Sequence, residues 1–307
     1  MREETQGPRP AEAFGKGEGE GGPIQSFTFG ASLLQFFIIP ALVVAMCVGV
    51  FLFFGWMVAD EKGGLDYLRE VKTGSSSRRW QAAFELSKWL THHQGTEEAA
   101  ALAPAMVEAY RSSQNDDPRV RRYLTLCLGH LKDSRGVPVL IPALSDGDAE
   151  TQIYAIWALG SIGDPSAIEP VTALVSHDDG SVRKMAVYGL GALKAESARE
   201  TLQAALNDPV LDVAWNAAVA LTQIGDGSGR GRLLQMMDRA YLAGVPDLSD
   251  EQEARAMITA LQAAARLADP ELRERMEAIS ASDPNLKVRQ AAFEALAPRS
   301  GAATSGK

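Results

Sequence analysis

The sequence predicts an all-α protein: a right-handed solenoid of about six to seven stacked helix pairs, preceded by one transmembrane helix. Two observations carry that prediction. Segments starting at Val120, Thr151, Val182 and Val213 repeat at a constant interval of 31 residues, the mark of a stacked-repeat architecture. Separately, no charged residue occurs between Gly21 and Ala59.

Composition sets the outer bounds. The chain has 307 residues, of which 46% are hydrophobic and 22% charged, which excludes wholesale disorder. Two cysteines cannot build a disulfide scaffold or a multi-thiolate zinc site. The net charge of −9 argues against a duplex nucleic-acid binder, which needs a basic face.

Residues 1–26 read as a disordered tail. Gly and Pro dominate, Glu3, Glu4, Glu12, Glu18 and Glu20 outnumber Arg2, Arg9 and Lys16, and little apolar surface offsets the entropy of ordering. Residues 30–59 read as the transmembrane helix. The run from Ala31 to Ala59 is nearly all apolar, and a bilayer needs about 20 such residues. It is too long, and starts too far along the chain, for a cleaved signal peptide. Pro40 is tolerated there, and Trp56 sits near the far end, where aromatic side chains favour the interface. Ala41, Ala45 and Gly49 form a small-residue stripe suited to packing against another membrane helix.

Lys62, Arg69, Lys72, Arg78 and Arg79 follow the span, whereas only Lys16 lies close upstream. The positive-inside rule then places the solenoid in the cytoplasm and the N-terminal tail outside. The reverse orientation makes the same scaffold an exported one. Residues 60–76 read as a juxtamembrane linker, 77–298 as the solenoid, and 299–307 as a second disordered tail.

Within the solenoid the 31-residue segments align in columns. Leu128, Leu159, Leu190 and Leu221 share one, and Leu131, Ile162, Leu193 and Ile224 another. Ala155, Ala186 and Ala217 form a small column, and Gly129, Gly160 and Gly191 a glycine column broken by Thr222. Apolar offsets 0, 4, 5, 8 and 11 make one helical face. Each of these first helices is followed by a second amphipathic segment, starting near Gly136, Ser166, Ser197 and Gly229, and Asp146, Asp178, Asn207 and Asp208 read as stops and caps. Neither helix can bury its apolar face alone, so the pairs must stack. Further units lie outside the strict repeat: Trp80–Leu90 and Arg289–Ala297 share the string QAAFE, Ala254–Asp269 gives another first helix, and segments from Ala99 and Pro270 give second helices. An insertion from Gly244 to Asp250 separates the strict repeats from the last units.

The strings Asp117–Leu131 and Val182–Leu193, with their Val-Arg openings and Leu-Gly-x-Leu endings, resemble HEAT-like repeats of the phycobilisome-lyase type. The resemblance spans roughly Ser77 to Pro298. Val-Arg is replaced at Thr151-Gln152 and Val213-Ala214. The resemblance implies the solenoid fold; it implies little about function, since such repeats serve enzymes, adaptors and scaffolds alike.

No catalytic constellation accompanies the repeats, and no cofactor or metal is expected. His92, His93, His130 and His177 form no His-Glu dipeptide and no H-E-x-x-H pattern. Cys127 falls in the small-residue column of Ala158, Gly189 and Ala220, and Cys47 lies inside the apolar run. The expected role is therefore non-enzymatic: a membrane-anchored scaffold that holds protein partners, an integral membrane protein among them, and no nucleic acid. The alternative that the resemblance supplies is a lyase-like enzyme or maturation factor.

The expected partner site is an exposed apolar patch on the first helices. Offset 6 reads Leu126, Trp157, Tyr188 and Val219, where the outer repeats carry Glu85 and Glu294. Offset 2, one turn earlier, reads Arg122, Ile153, Lys184 and Trp215. Leu126, Ile153, Trp157, Tyr188, Trp215 and Val219 are thus the expected contact residues. The competing reading buries these rings between neighbouring first helices.

Overall fold

The structure is a computed structural model that describes residues 37–58 and 62–297. The chain divides into two compact units, Met1–Glu61 and Lys62–Lys307. The expected tails over 1–26 and 299–307 lie outside the described residues, as do residues 30–36 and 59 of the expected span. Among the described residues all regular structure is helical.

In the first unit, α1 covers Ile39–Val58 and carries no charged residue. Its side chains from Ile39 to Phe54 are exposed, including Ala41, Ala45 and the open face at Gly49. No helix among the described residues is long and apolar enough to cross a membrane.

The second unit opens with α2 (Gly64–Thr73). Five helix pairs follow: α3 (Ser76–His92) with α4 (Glu97–Ala101) and α5 (Ala103–Ser112); α6 (Pro118–Leu131) with α7 (Val137–Ala143); α8 (Ala149–Ile162) with α9 (Ile168–Ala173); α10 (Gly180–Ala192) with α11 (Arg199–Ala205); and α12 (Leu211–Gln223) with α13 (Arg230–Met236). Then come α14 (Arg239–Leu242), α15 (Asp250–Ala264), α16 (Pro270–Ser282) and α17 (Leu286–Leu296). Successive first helices α3, α6, α8, α10 and α12 pack side by side, as the repeat requires.

The stretch read as a linker contains α2. Gly64, Leu68 and Val71 are buried, with Tyr67 half-buried beside them, at the i, i+3, i+4, i+7 spacing of one helical face. A Cβ on Gly64 would stand 2.7 Å from the Leu102 Cδ1 and 2.8 Å from the Trp89 ring, so this helix end is pressed onto the first pair.

The columns explain the stacking. Leu128, Leu159, Leu190 and Leu221 are buried, as are Ala155, Ala186 and Ala217. The glycine column marks where first helices cross. A Cβ on Gly129 would stand 2.8 Å from Ala158 Cα, and one on Gly191 2.9 Å from Ala220 Cβ. At Gly160 the nearest atom, Ala192 Cβ, is 3.2 Å away, so that crossing is looser.

Helix entry is set by acids, though partly different ones from those expected. Asp117, Asp148, Asp179, Asp269 and Asn285 cap α6, α8, α10, α16 and α17 by accepting from backbone N–H groups of the first turn. Asp146 and Asp208 have another task. Arg121, of the first Val-Arg, makes a bidentate pair with Asp146 at 2.8 and 3.0 Å, and its remaining nitrogen donates to the carbonyl of Asp116 at 3.1 Å. Arg183, of the second, pairs with Asp208 at 2.8 and 3.0 Å and donates to the carbonyls of His177 and Asp178 at 2.9 Å. Each arginine therefore ties the loop before its helix to the loop after the pair. Where Gln152 replaces the arginine, one bond to the Asp146 carbonyl at 2.6 Å remains. The acid of the following loop is then absent too: the place of Asp146 and Asp208 is taken by His177. The two partners are retained or lost together, because either one left alone is a partly buried, uncompensated charge.

The core has two parts. One runs from Leu68 to Ile224; the other begins at Trp215 and ends at Ala292. They meet at α12, which contributes residues such as Leu221 to the first and Trp215 to the second.

Candidate partner-binding groove

The six residues expected at the partner site do not form one exposed patch. Trp215 is 6% exposed and belongs to the second core, packed with residues such as Ala218 and Met236. Leu126, Ile153, Trp157 and Val219 are half-buried, and Tyr188 alone is exposed, at 42%. The physical reason is where Trp215 falls: α12 has α15 as its neighbour, and the ring is taken into the second core with Met236, Ala254 and Met257.

The covering is incomplete, and what remains is a groove of about 460 Å³. Trp157, Tyr188, Trp215 and Val219 line one side, together with Met185. Ala256 and Leu248 line the other, with Met236 also contributing to the wall. Leu126 and Ile153 lie outside it. Gln252, Arg255, Ala256 and Thr259 face the groove from α15 at the i, i+3, i+4, i+7 spacing of one helix face. This fourth wall escaped the column argument because α15 lies beyond the strict repeat. Its signal is a first helix whose outward face carries small and polar residues opposite two tryptophans.

The rim is charged and the interior apolar. Lys184 Nζ reaches Asp212 at 3.2 Å across α10 and α12, and Arg255 pairs with Glu251 at 2.9 Å. The indole N–H of Trp215 is buried with no hydrogen-bond acceptor among the described residues.

Behind Trp157 stands His130. Its ring meets the tryptophan edge-to-face at 5.0 Å, Gln94 Nε2 lies 2.8 Å from its Nδ1, and Thr91 Oγ1 lies 3.4 Å from its Nε2. Burial lowers the imidazole pKa, and Lys132 lowers it further. His130 is thus a tie between α3 and α6 that also props the groove wall. His93 is stacked on Trp89 at 4.0 Å, with its Nδ1 2.8 Å from the Trp89 carbonyl, and His177 Nδ1 accepts from the Asp179 N–H at 3.0 Å. Burial pushes the Cys127 thiol far up, and its sulfur lies 3.7 Å from the Ala83 carbonyl in a closed helix contact. Among the described residues no group of three or more metal-ligating side chains comes together.

Comparison with known proteins agrees with this architecture. The family model for HEAT repeats matches residues 103–181 and 170–241. The phycocyanin lyase complex of CpcE and CpcF from Nostoc sp. PCC7120 superposes with a TM-score of 0.52 at 18% identity, covering 78% of this chain and 95% of that one. A designed armadillo repeat protein in complex with the peptide (KR)4 gives 0.42 at 17% identity, covering 75% and 98%. Human deoxyhypusine hydroxylase gives 0.33 at 20% identity, covering 76% and 96%. No curated protein matches the sequence. Residues 103–241 thus match HEAT repeats, and the likeness to the phycocyanin lyase complex is one of fold.

Proposed function

We propose that this protein is a non-enzymatic interaction scaffold, anchored in a membrane by its N-terminal segment, whose groove between α10, α12 and α15 holds a segment of a partner protein. The observation that carries this reading is an open groove lined by Trp157, Tyr188, Trp215 and Val219, with the ion pairs of Lys184 and Arg255 at its rim. A partner segment would place an apolar side chain against Trp157 and Tyr188. Aromatic anchors of this kind carry much of the energy of protein interfaces.

The anchor rests on the charge-free run from Ala31 to Ala59 and on α1, whose side chains from Ile39 to Phe54 are exposed. The basic residues from Lys62 onward favour a cytoplasmic solenoid, and an integral membrane protein suits the partner role. Confining both proteins to one bilayer raises their effective concentration, so a groove of modest size suffices.

The test uses the full chain purified from native membranes in detergent. Ala256→Trp fills the groove from α15, where Ala256 is half-buried beside the second core, and Tyr188→Ala strips its exposed ring. Both are expected to stay folded by circular dichroism and to lose a partner that the wild type retains. Retention of that partner by both folded variants refutes the groove as its site. A reporter fused after Lys307 tests the orientation.

A second reading, a lyase-like enzyme or maturation factor, draws support from the likeness to the phycocyanin lyase complex and from a groove large enough for a small molecule. Copurification of a chromophore that Ala256→Trp displaces would favour it.

A further inference from the structure

The last described helix, α17, leaves one face without a neighbour. It buries Val288, Ala291 and Ala292 against α15 and α16. On the other side Leu286 is 70% and Phe293 67% exposed, the two most exposed large apolar side chains between residues 62 and 297. They stand two turns apart on one face, with Gln290 between them.

An internal comparison shows how a neighbouring helix can meet part of this face, for Phe84 at the matching place is 37% exposed where Phe293 is 67%. The string QAAFE occurs at 81–85 in α3 and at 290–294 in α17. In α3 its phenylalanine, Phe84, meets Tyr123 of the next first helix edge-to-face at 5.1 Å, and the carbonyl of Ala83 lies against the Cys127 thiol. Phe293 holds the same place in α17, and among the described residues no helix follows to cover it. Among the described residues this helix turns an apolar face outward.

The charges beside it select the occupant. Lys287 and Glu294 also lie seven residues apart, both on the same flank of the apolar stripe. Lys287 makes no ion pair among the described residues, and Glu294 accepts only the uncharged amide of Gln290, at 2.7 Å. In a parallel helix pair, each flank meets the opposite flank of its neighbour. In an antiparallel pair related by a two-fold axis, each flank meets itself. Opposite charges at i and i+7 on one flank are therefore complementary to their own antiparallel copy.

We propose that α17 is a homodimerisation face. A two-fold axis near Gln290 sets Leu286 of each copy on Phe293 of the other, and Lys287 of each within reach of Glu294 of the other. A single helix face is smaller than a standard interface, so the dimer is weak and gains from confinement of both copies to one surface.

Charge reversal tests this on the full chain in detergent, by sedimentation equilibrium. By symmetry each single reversal, Lys287→Glu or Glu294→Lys, removes two ion pairs and sets like charges together, raising the dissociation constant about tenfold. The double variant Lys287→Glu/Glu294→Lys restores opposite pairs and should return to within about threefold of wild type, a rescue that a fold defect cannot produce. Phe293→Asp should abolish the dimer. The proposal is overturned if the wild type stays monomeric throughout, or if the single reversals leave the dimer unchanged, which puts its contact elsewhere on the chain. Failure of the double variant to recover overturns it as well.

Discussion

Truncating Arg121 to Ala tests the reading that the Val-Arg positions tie consecutive loops together. The guanidinium makes two bonds to Asp146 and one to the Asp116 carbonyl, and the two side chains are only 12% and 10% exposed. Burial raises the Asp146 pKa, and the Arg121 pair with the Asp148 N–H more than offsets it, holding the carboxyl below its ordinary range. Without Arg121 the carboxylate keeps only the Asp148 N–H, at 2.9 Å. Removing one partner of a buried pair costs about 3–5 kcal/mol, and the residual exposure here places the loss near the lower figure. Urea denaturation followed by circular dichroism should therefore show Arg121→Ala destabilised by about 3 kcal/mol. The adjacent repeat supplies the control. Arg121→Gln with Asp146→His copies the natural pair of positions Gln152 and His177, removing the stranded charge while keeping one amide bond to the loop. It should recover at least half of the loss. A cost for Arg121→Ala below about 1 kcal/mol, the range of an ordinary surface ion pair, would refute the argument. So would a double variant no more stable than Arg121→Ala.

Gly129→Ala should cost about 2 kcal/mol in the same assay, because the new methyl meets the α8 backbone, and that overpacking exceeds the gain in helix propensity. Gly160→Ala, in the same column but facing Ala192 Cβ at 3.2 Å, should be close to neutral. The Asp226 carboxyl, bonded to the Ser228 hydroxyl and N–H and to Arg199 and Gln203, is held at about 2, below its ordinary 3.8. A depressed folded-state pKa stabilises fully above the unfolded value and is lost as pH falls through the folded one. Thermal melts should therefore show a stability loss between about pH 4 and 2 that Asp226→Asn diminishes.

Local, periodic physics was legible in the sequence. The 31-residue spacing located α6, α8, α10 and α12, because each repeat meets nearly the same neighbours and the pattern carries its own packing. The leucine, alanine and glycine columns named the stacking contacts. Three things were not legible. The stretch read as a linker contains a helix, α2, since four spaced residues are too weak a signal beside a charged background. The role of Asp146 and Asp208 as partners of arginines 25 residues earlier depends on the return path of a whole helix pair, and local spacing suggested only a cap. The groove depends on where α15 comes to rest.

The sequence by itself thus determined an array of helix pairs with an uncharged segment before it, because periodicity and charge are properties of the chain alone. The tertiary structure decided which of the aromatic residues is covered. Trp157, Tyr188 and Trp215 occupy related helix positions, yet one is half-buried, one exposed and one buried. The difference comes from the neighbours each meets: Trp157 packs against the first core, Trp215 is enclosed in the second, and Tyr188 belongs to neither.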